Sequence, residues 1–480
     1  MLRRSTPLMG LLLLLFTFTT HAFDAKVKVL PMELSDLPGF TPVSFADLPD
    51  FKSEIESKAT KSGKVHTNGL LATINYMEFP KRQPDVQEEK IILEPSETGF
   101  PKPIEVRGFF QDHKAPLAVT LLGFSEDSSD RLARAWQTYL YKSGCHVLSF
   151  DSLIRNNMNE AAGYGVAGYI VEESVVVGKI VDAFLAKTRK KGGKIGDQVS
   201  SVRLLGTSYG GLLSMECLRL PQAKTWPIDR ALIVSIPINM TTTAKRLDTF
   251  DREDKPFFGI FKLLKLLGGY TPKGDQPTPD EESLFRAGIG YVFHGDLTGL
   301  AKSNVDRYDP ELLTRLSAWD EKPEQKDLNK TMLTNLKNKQ EEELKELEGK
   351  KGQISNEEFE KQRTELKAKH KVQEIVAKRK PSDLNTWDFQ DYVFLLLKPY
   401  WKMKRGGGVS VTLQDLMLGA PNFVQVVIAA DDPLNEPSEL EVTKSKIPEP
   451  KLLVVPHGGH LGFTGTKWCE SLVEKLFKAQ

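Results

Sequence analysis

A serine between closely spaced glycines is the first feature of this sequence that could do chemistry. Residues 206–211 read GTSYGG, after the strand-like run VRLL and before an apolar stretch with helical spacing. A serine on so tight a strand-to-helix turn has strained backbone angles, and side chains two residues away on either side would collide. Gly206 and Gly210 suit such a turn, which would expose the Ser208 hydroxyl as a nucleophile. The alternative is a glycine-rich loop in a purely structural domain.

A nucleophilic serine needs a base that takes its proton, and the base needs an acid that orients it. Of the eight histidines, His457 and His460 follow the last strand-like run, in the sequence VVPHGGHLGF. His460 is the favoured base, because the flanking glycines give it a flexible loop at the carboxyl edge of a sheet. We interpret His457, at the end of the strand, as structural.

The acid is expected at the end of the preceding strand. Asp431 and Asp432 stand there, in the sequence IAADDPL. We favour Asp432, which comes directly before the Pro-Leu turn, and Asp431 remains the alternative. The 28-residue interval from Asp432 to His460 fits one helix and one strand.

The elements that must position these residues are apolar runs that alternate with helical patterns. Continuous Val, Ile and Leu runs separated by helices indicate a parallel sheet that is covered on both faces. Helical patterns occupy 127–143 and 171–191. The strand-like runs lie at 116–124, 146–152, 202–208, 231–239, 423–432 and 451–459.

The three motifs together resemble those of the α/β-hydrolase superfamily. Most similar is its branch of carboxylesterases and lipid-acting hydrolases with GxSxGG, xADDPL and GGHxGF, found here at Gly206–Gly211, Ala430–Leu434 and Gly458–Phe463. The resemblance covers about 116–240 and 410–480. It implies an α/β-hydrolase fold, a mostly parallel central sheet with helices on both faces, carrying a large helical cap insertion.

For the site, the resemblance implies Ser208 as nucleophile, His460 as base and Asp432 as acid, in the chain order Ser, Asp, His. The backbone amides of Tyr209 and Phe124 would bind the oxyanion. The sequence departs from the family pattern where His-Gly is usual after the third strand, because Leu122 precedes Gly123 here. One missing oxyanion donor typically costs about two to three orders of magnitude in rate.

Composition narrows the class of partner and the compartment. The formal net charge of +1 gives no electrostatic reason to expect a nucleic acid as a partner.

Arg3 and Arg4, followed by the apolar run LMGLLLLLFTFTT, predict a signal peptide over 1–22 with cleavage near Ala22, and therefore export to the periplasm or the medium. An uncleaved membrane anchor is the alternative. The three cysteines form no disulfide framework and no metal-ligand spacing, so neither metal nor organic cofactor is expected.

The organisation predicted from these patterns has five segments. They are the signal peptide, a region 23–110 that contributes leading strands, a first core segment at 111–239, a cap insertion at 240–420 and a second core segment at 421–480. Within the cap, the apolar stretch 257–269 would line an acyl site, touch lipid or pack on the core. The highly charged run 321–380 predicts two antiparallel helices, either a solvated hairpin or an arm that contacts a membrane surface or a protein.

These observations predict an exported serine hydrolase that cleaves a small-molecule or lipid-like carboxylic ester through an acyl-enzyme. Peptidases and acyltransferases use the same three side chains, and they remain alternatives. A further alternative is a catalytically weak binding or scaffold protein with the same fold, which the altered loop at Leu122 favours.

Overall fold

The computed structural model describes residues 32, 34–51, 54, 84–124, 126–190, 195–220, 226–248, 297–308, 312, 323–356, 387–405 and 412–478, with single positions between 358 and 384. These residues belong to two compact units. The first comprises Met1–Arg246 and Val393–Gln480, and the second comprises Leu247–Tyr392. The predicted signal peptide and the apolar stretch 257–269 lie outside the described residues.

One eight-stranded sheet forms the centre of the first unit, in the order β1-β2-β4-β3-β5-β6-β7-β8. β2 runs antiparallel to β1 and β4, and all the other neighbouring strands are parallel. The strands are β1 (Glu89–Leu93), β2 (Ile104–Phe109), β3 (Ala115–Leu121), β4 (His146–Ser149), β5 (Val199–Thr207), β6 (Ile228–Val234), β7 (Val424–Ala429) and β8 (Leu452–Val455).

Helices lie between most of the successive strands. The named α-helices are α1 (Pro95–Thr98), α2 (Arg131–Lys142), α3 (Asn156–Ala162), α4 (Ile170–Lys190), α5 (Ile195–Gln198), α6 (Tyr209–Cys217), α7 (Met240–Asp248), α8 (Pro323–Gly349), α9 (Phe389–Tyr392), α10 (Lys398–Arg405), α11 (Leu413–Leu416), α12 (Pro437–Lys446) and α13 (Lys467–Phe477). Of these helices, α8 and α9 belong to the second unit. A π-helical turn spans Val393–Leu397, and 3-10 turns span Phe45–Asp47 and Gly462–Gly465.

Helices cover both faces of the sheet, which explains the unbroken apolar runs. Every residue of β3 and of β7 is buried. Successive residues of a strand point to opposite faces. Val427 shares a core with Trp136 of α2 and Leu472 of α13, whereas Ile233 lies against Gly211 of α6 on the other face. The predicted fold, a mostly parallel sheet between helices in the α/β-hydrolase manner, is confirmed.

Some of the N-terminal region belongs to this same core. β1 and β2 extend the sheet beyond β4. Upstream of them, the amide side chain of Gln425 on β7 accepts a hydrogen bond from Val43 N at 3.1 Å and donates one to Val43 O at 2.8 Å. The ring of Phe51 packs edge-on against Trp468. The described residues between 34 and 110 therefore extend one edge of the sheet and pack against β7 and α13.

In the second unit, the charged run forms a long helix and a return segment. α8 ends at Gly349, and Gly352 has a φ of +93° in the turn that follows. The Ser355 hydroxyl then accepts a hydrogen bond from Glu358 N at 3.2 Å, as an N-cap does. Farther along, His370 O accepts a hydrogen bond from Gln340 Nε2 at 3.0 Å, so the chain runs back along α8.

The predicted domain boundaries, the signal peptide and the function of 240–420 as a cap stay predictions. Residues 249–296, which make up much of that insertion, lie outside the described residues. Among those that are described, no helix is both long and apolar enough to cross a membrane.

Candidate active site

Ser208 occupies a strained turn between β5 and α6. Its backbone has φ 51° and ψ −120°, a conformation that costs a non-glycine residue on the order of 1–3 kcal/mol. The flanking glycines make the turn possible. A Cβ on Gly206 would lie 2.2 Å from Ser214 Oγ and 2.5 Å from Gly210 O, and one on Gly210 would lie 2.0 Å from Leu121 O. The crowding expected from the sequence is therefore present, and it involves β3 as well as the turn itself.

The loop after β3 lies directly against this turn. A Cβ on Gly123 would be 3.1 Å from Ser208 Cβ, so a side chain there would require its neighbours to shift by a few tenths of an ångström. Phe124 follows in this loop and is half-buried. Tyr209 is the first residue of α6, where backbone N–H groups point out of the helix end. The two residues predicted as oxyanion donors therefore belong to two different elements that adjoin Ser208, the loop after β3 and the first turn of α6.

His460 bridges the serine and an aspartate. Its Nε2 lies 2.8 Å from Ser208 Oγ, and its Nδ1 lies 2.8 Å from Asp432 Oδ2. The Asp432 side chain is fully buried, and that of His460 is 7 % exposed. These three residues come from the ends of β5, β7 and β8, because parallel strands bring their carboxyl ends to one edge of the sheet.

The two neighbouring aspartates have different contacts. The second oxygen of Asp432 accepts a hydrogen bond from Leu434 N at 2.9 Å, so both carboxylate oxygens have a hydrogen-bond partner. Asp431 instead accepts hydrogen bonds from Gly459 N at 2.8 Å and from Gly458 N at 3.3 Å. Burial raises the pKa of Asp431. The structure thus brings Asp432 to His460 and leaves Asp431 to hold the backbone before it.

His457, the alternative base, lies elsewhere. Its Nδ1 is 3.8 Å from Asp431 Oδ2, and its side chain is 42 % exposed. It belongs to the same loop as His460, but no contact joins it to Ser208 in the described structure. The geometry therefore favours His460 as the partner of the serine.

Ser235 is a site residue that the sequence patterns did not indicate. It follows β6 with a φ of 51°, and its Oγ accepts a hydrogen bond from Leu461 N at 3.2 Å. Leu461 itself has a φ of 68°. Together with Asp431, Ser235 fixes the backbone on both sides of His460. No local motif marks Ser235, since its function depends on where the end of β6 meets the loop after β8.

Two carboxyl groups near Ser208, one half-buried and one buried, were also missed. Glu126 Oε2 accepts hydrogen bonds from Gly123 N at 2.7 Å and from Thr207 Oγ1 at 3.1 Å. Burial raises the pKa of the Glu126 carboxyl to about 7, although these hydrogen bonds and the nearby His460 favour its charged form. A short stretch of sequence cannot indicate this position, because Thr207 is 81 residues away.

Glu173 on α4 is the second such group. The Tyr209 hydroxyl donates a short hydrogen bond to Glu173 Oε2, and Gly168 N donates to Oε1 at 2.8 Å. Burial raises the pKa of the Glu173 carboxyl to about 7 against these bonds. The residues immediately before and after Ser208 are therefore each held by a glutamate, Thr207 by Glu126 and Tyr209 by Glu173.

This arrangement can move a proton and stabilise the resulting charge. His460 Nε2 is placed to accept the Ser208 proton, and Asp432 is placed to hold the imidazole through Nδ1 and to stabilise an imidazolium. Among the described residues, no group of three or more His, Cys, Asp or Glu side chains is placed to hold a metal ion.

Comparison with known proteins gives structural likenesses only. No family model and no curated protein matches the chain. The thermostable carboxylesterase EstE1, cloned from a metagenomic library, is similar with a TM-score of 0.26 and 14 % identity, over 47 % of this chain and 68 % of that one. The Pyrococcus furiosus esterase Pf2001 has a TM-score of 0.27 and 16 % identity, over 38 % of this chain and 64 % of that one.

The thioesterase domain from the curacin biosynthetic pathway has a TM-score of 0.31 and 13 % identity, over 81 % of this chain and 99 % of that one. This chain thus spans about two thirds of the length of the two esterases and nearly all of the thioesterase domain. With such low identities and TM-scores, these likenesses carry no argument about substrate.

Proposed function

We propose that this protein is a serine hydrolase that cleaves carboxylic esters through an acyl-enzyme on Ser208. The observation that carries the proposal is the hydrogen-bond relay from Ser208 through His460 to Asp432, with both distances at 2.8 Å. The strained backbone of the serine turn adds support, because such strain persists only where the surrounding structure over-determines it.

In the first half of the reaction, Ser208 Oγ attacks the ester carbonyl carbon while His460 Nε2 takes the hydroxyl proton. The charge that develops on the carbonyl oxygen faces the amides of Tyr209 and Phe124, our proposed donors. The tetrahedral intermediate collapses when the imidazolium gives its proton to the leaving alcohol, which leaves an acyl-Ser208 ester.

In the second half, His460 takes a proton from water, and the resulting hydroxide attacks the acyl carbon. The second tetrahedral intermediate releases the carboxylic acid, and the proton returns to Ser208 Oγ. Asp432 accepts the hydrogen bond from His460 Nδ1, which holds the imidazole in the tautomer that keeps Nε2 unprotonated in the resting state. The Leu434 amide fixes this carboxyl group through a hydrogen bond to Asp432 Oδ1.

The test is hydrolysis of a series of p-nitrophenyl esters from acetate to palmitate by the purified protein. Ser208→Ala should abolish turnover above the uncatalysed rate. Ser129→Ala, an identical change at an exposed serine whose bonds are local, is the matched control and should retain activity.

A folded wild-type protein without turnover on any ester would contradict the proposal. It would favour a weakly catalytic binding protein, the function that the departure at Leu122, in the loop after β3, favours. Transfer of the acyl group to an added alcohol or amine in preference to water would instead indicate an acyltransferase.

A further inference from the structure

Glu126 joins two segments that must keep their relative position for Ser208 to work. One is the oxyanion loop, which we define as residues 122–124 after β3. The other is the serine turn at the end of β5. A single carboxylate oxygen of Glu126 accepts hydrogen bonds from Gly123 N in the first and from Thr207 Oγ1 in the second. Thr207 is fully buried, so its hydroxyl has no access to bulk water.

The contact geometry shows how close this bridge is to the reacting serine. A Cβ on Gly123 would meet Ser208 Cβ at 3.1 Å and the Glu126 carboxyl, through Cδ and Oε1, at 3.2 Å. Gly123 is therefore enclosed between the serine and the glutamate. Glu126 is also held from behind, since Ser152 N donates a hydrogen bond to its backbone oxygen at 3.0 Å.

We propose that Glu126 is a positioning residue for this site, whose carboxylate fixes the oxyanion loop beside Ser208. The inference rests on the proposed function, because it assumes that Ser208 is the nucleophile. Glu126 makes no described contact with the Ser208 hydroxyl and takes no proton from it. Its effect on the reaction passes through the Gly123 backbone and the Thr207 side chain.

The charge state of Glu126 should matter to this function. Hydrogen bonds to an ionised acceptor are about twice as strong as neutral ones, so the carboxylate holds the loop more firmly than the neutral acid. Because the pKa of Glu126 is raised to about 7, the carboxylate forms as pH rises through neutrality. The titratable side chains that act on Glu126 are His460 and Asp130, and Asp130 in turn faces Asp127, Asp151 and Arg155.

The test compares wild type with Glu126→Gln in the rate at which a fluorophosphonate modifies Ser208. Glutamine keeps the carbonyl acceptor and the shape of the neutral acid, so it mimics protonated Glu126 at every pH. At about pH 8.5 the variant should react roughly ten-fold more slowly. At about pH 5.5 the two rates should converge, with the midpoint of the ratio near the pKa of about 7. Glu160→Gln, the same change at a surface ion pair, should follow wild type.

Variants at Thr207 separate positioning from a purely electrostatic action on His460. Thr207→Val removes one of the two bonds and leaves the charge of Glu126 in place, so positioning predicts a several-fold slower reaction and electrostatics predicts none. Thr207→Ser keeps the hydroxyl and should restore the rate. These variants also test the proposal if Glu126→Gln fails to fold, which a thermal melt of each sample would show.

Equal rates for wild type and Glu126→Gln at pH 8.5, or a rate ratio that does not change with pH, would overturn the inference and leave the proposed function intact. So would a Thr207→Val variant that reacts as fast as Thr207→Ser. A wild-type protein that is folded but not modified at any pH would overturn the proposed function, and the inference with it.

Discussion

The site at the carboxyl edge of the sheet differs from the charged part of the second unit in how far apart in sequence its contacting residues lie. We call that charged part, which comprises α8, the turn after it and His370, the α8 segment. Ser208 and His460 are 252 residues apart in sequence and meet inside the first unit. In the second unit, the Gln340–His370 bond spans only 30 residues, and α8 exposes most of its described side chains. The site therefore depends on the whole fold, whereas the hydrogen bonds described for the α8 segment join residues of that segment to one another.

Backbone strain separates the two regions further. Ser208, Ser235 and Leu461 are the non-glycine residues with positive φ among those described, and all three lie at the site. In the α8 segment, the left-handed position in the turn is taken by Gly352, which adopts it without steric strain. Strain collected at one place indicates a function there, whereas an unstrained turn is typical of a simple connection between two helical segments.

The largest effect on catalysis is expected from a change at Asp432, compared with the same change at Asp431. Asp432→Asn should lower kcat for ester hydrolysis by about three to four orders of magnitude, because the amide would no longer stabilise the imidazolium at His460. Asp431→Asn, the same change one residue earlier, should cost about ten-fold, since it weakens only the bonds from Gly458 and Gly459. Steady-state kinetics on one ester checks both. Equal losses would show that the contacts of Asp432 with His460 are not what the reaction uses.

Two glycine-to-alanine variants compare the tight packing of α6 against β3 with the open surroundings at the end of α8. Gly210→Ala should destabilise the protein by about 3 kcal/mol, because its Cβ would lie 2.0 Å from Leu121 O. Gly349→Ala, at the end of α8, adds a Cβ with nothing within 4 Å and should be neutral or stabilising by about 0.5 kcal/mol. Urea unfolding of both variants measures the difference. A well-tolerated Gly210→Ala would contradict the tight approach of α6 to β3.

Glu173 predicts a pH-dependent stability. Its pKa is about 7 when folded against an ordinary 4.5, so between these values the native state binds more protons than the unfolded state. The free energy of unfolding should therefore fall as pH rises through this window, by on the order of 3 kcal/mol from this group. Glu173→Gln removes the titration. The stability of the variant relative to wild type should rise from about pH 5 to pH 8, and a constant difference would contradict a buried, titrating carboxyl.

The smallest effect is expected in the α8 segment. Gln340→Ala removes the hydrogen bond to His370 O and should lower the free energy of unfolding by about 1 kcal/mol. Glu341→Ala, at an exposed neighbour on the same helix, should change it by less than about 0.5 kcal/mol. Neither variant should alter the rate at which a fluorophosphonate modifies Ser208. A changed rate would link the two units functionally.

Sequence patterns predicted the sheet and the residues that end its strands, because burial on both faces leaves continuous apolar runs and tight turns need glycine. The same patterns led to Ser208, Asp432 and His460, which the structure brings into contact. They left Asp431 as an alternative acid, since two adjacent aspartates differ only in the direction that the turn gives each side chain. Glu126, Glu173 and Ser235 were missed, because each acts on an element far away in sequence.

The most direct test of the account is the intact mass of the purified protein after treatment with a fluorophosphonate. We expect wild type to gain the mass of one phosphonyl group, Ser208→Ala to gain none, and Asp432→Asn to react far more slowly. Such labelling would show that Ser208 is activated by its contact with His460. A folded wild-type sample without any mass gain, or a gain that persists in Ser208→Ala, would contradict the central claim.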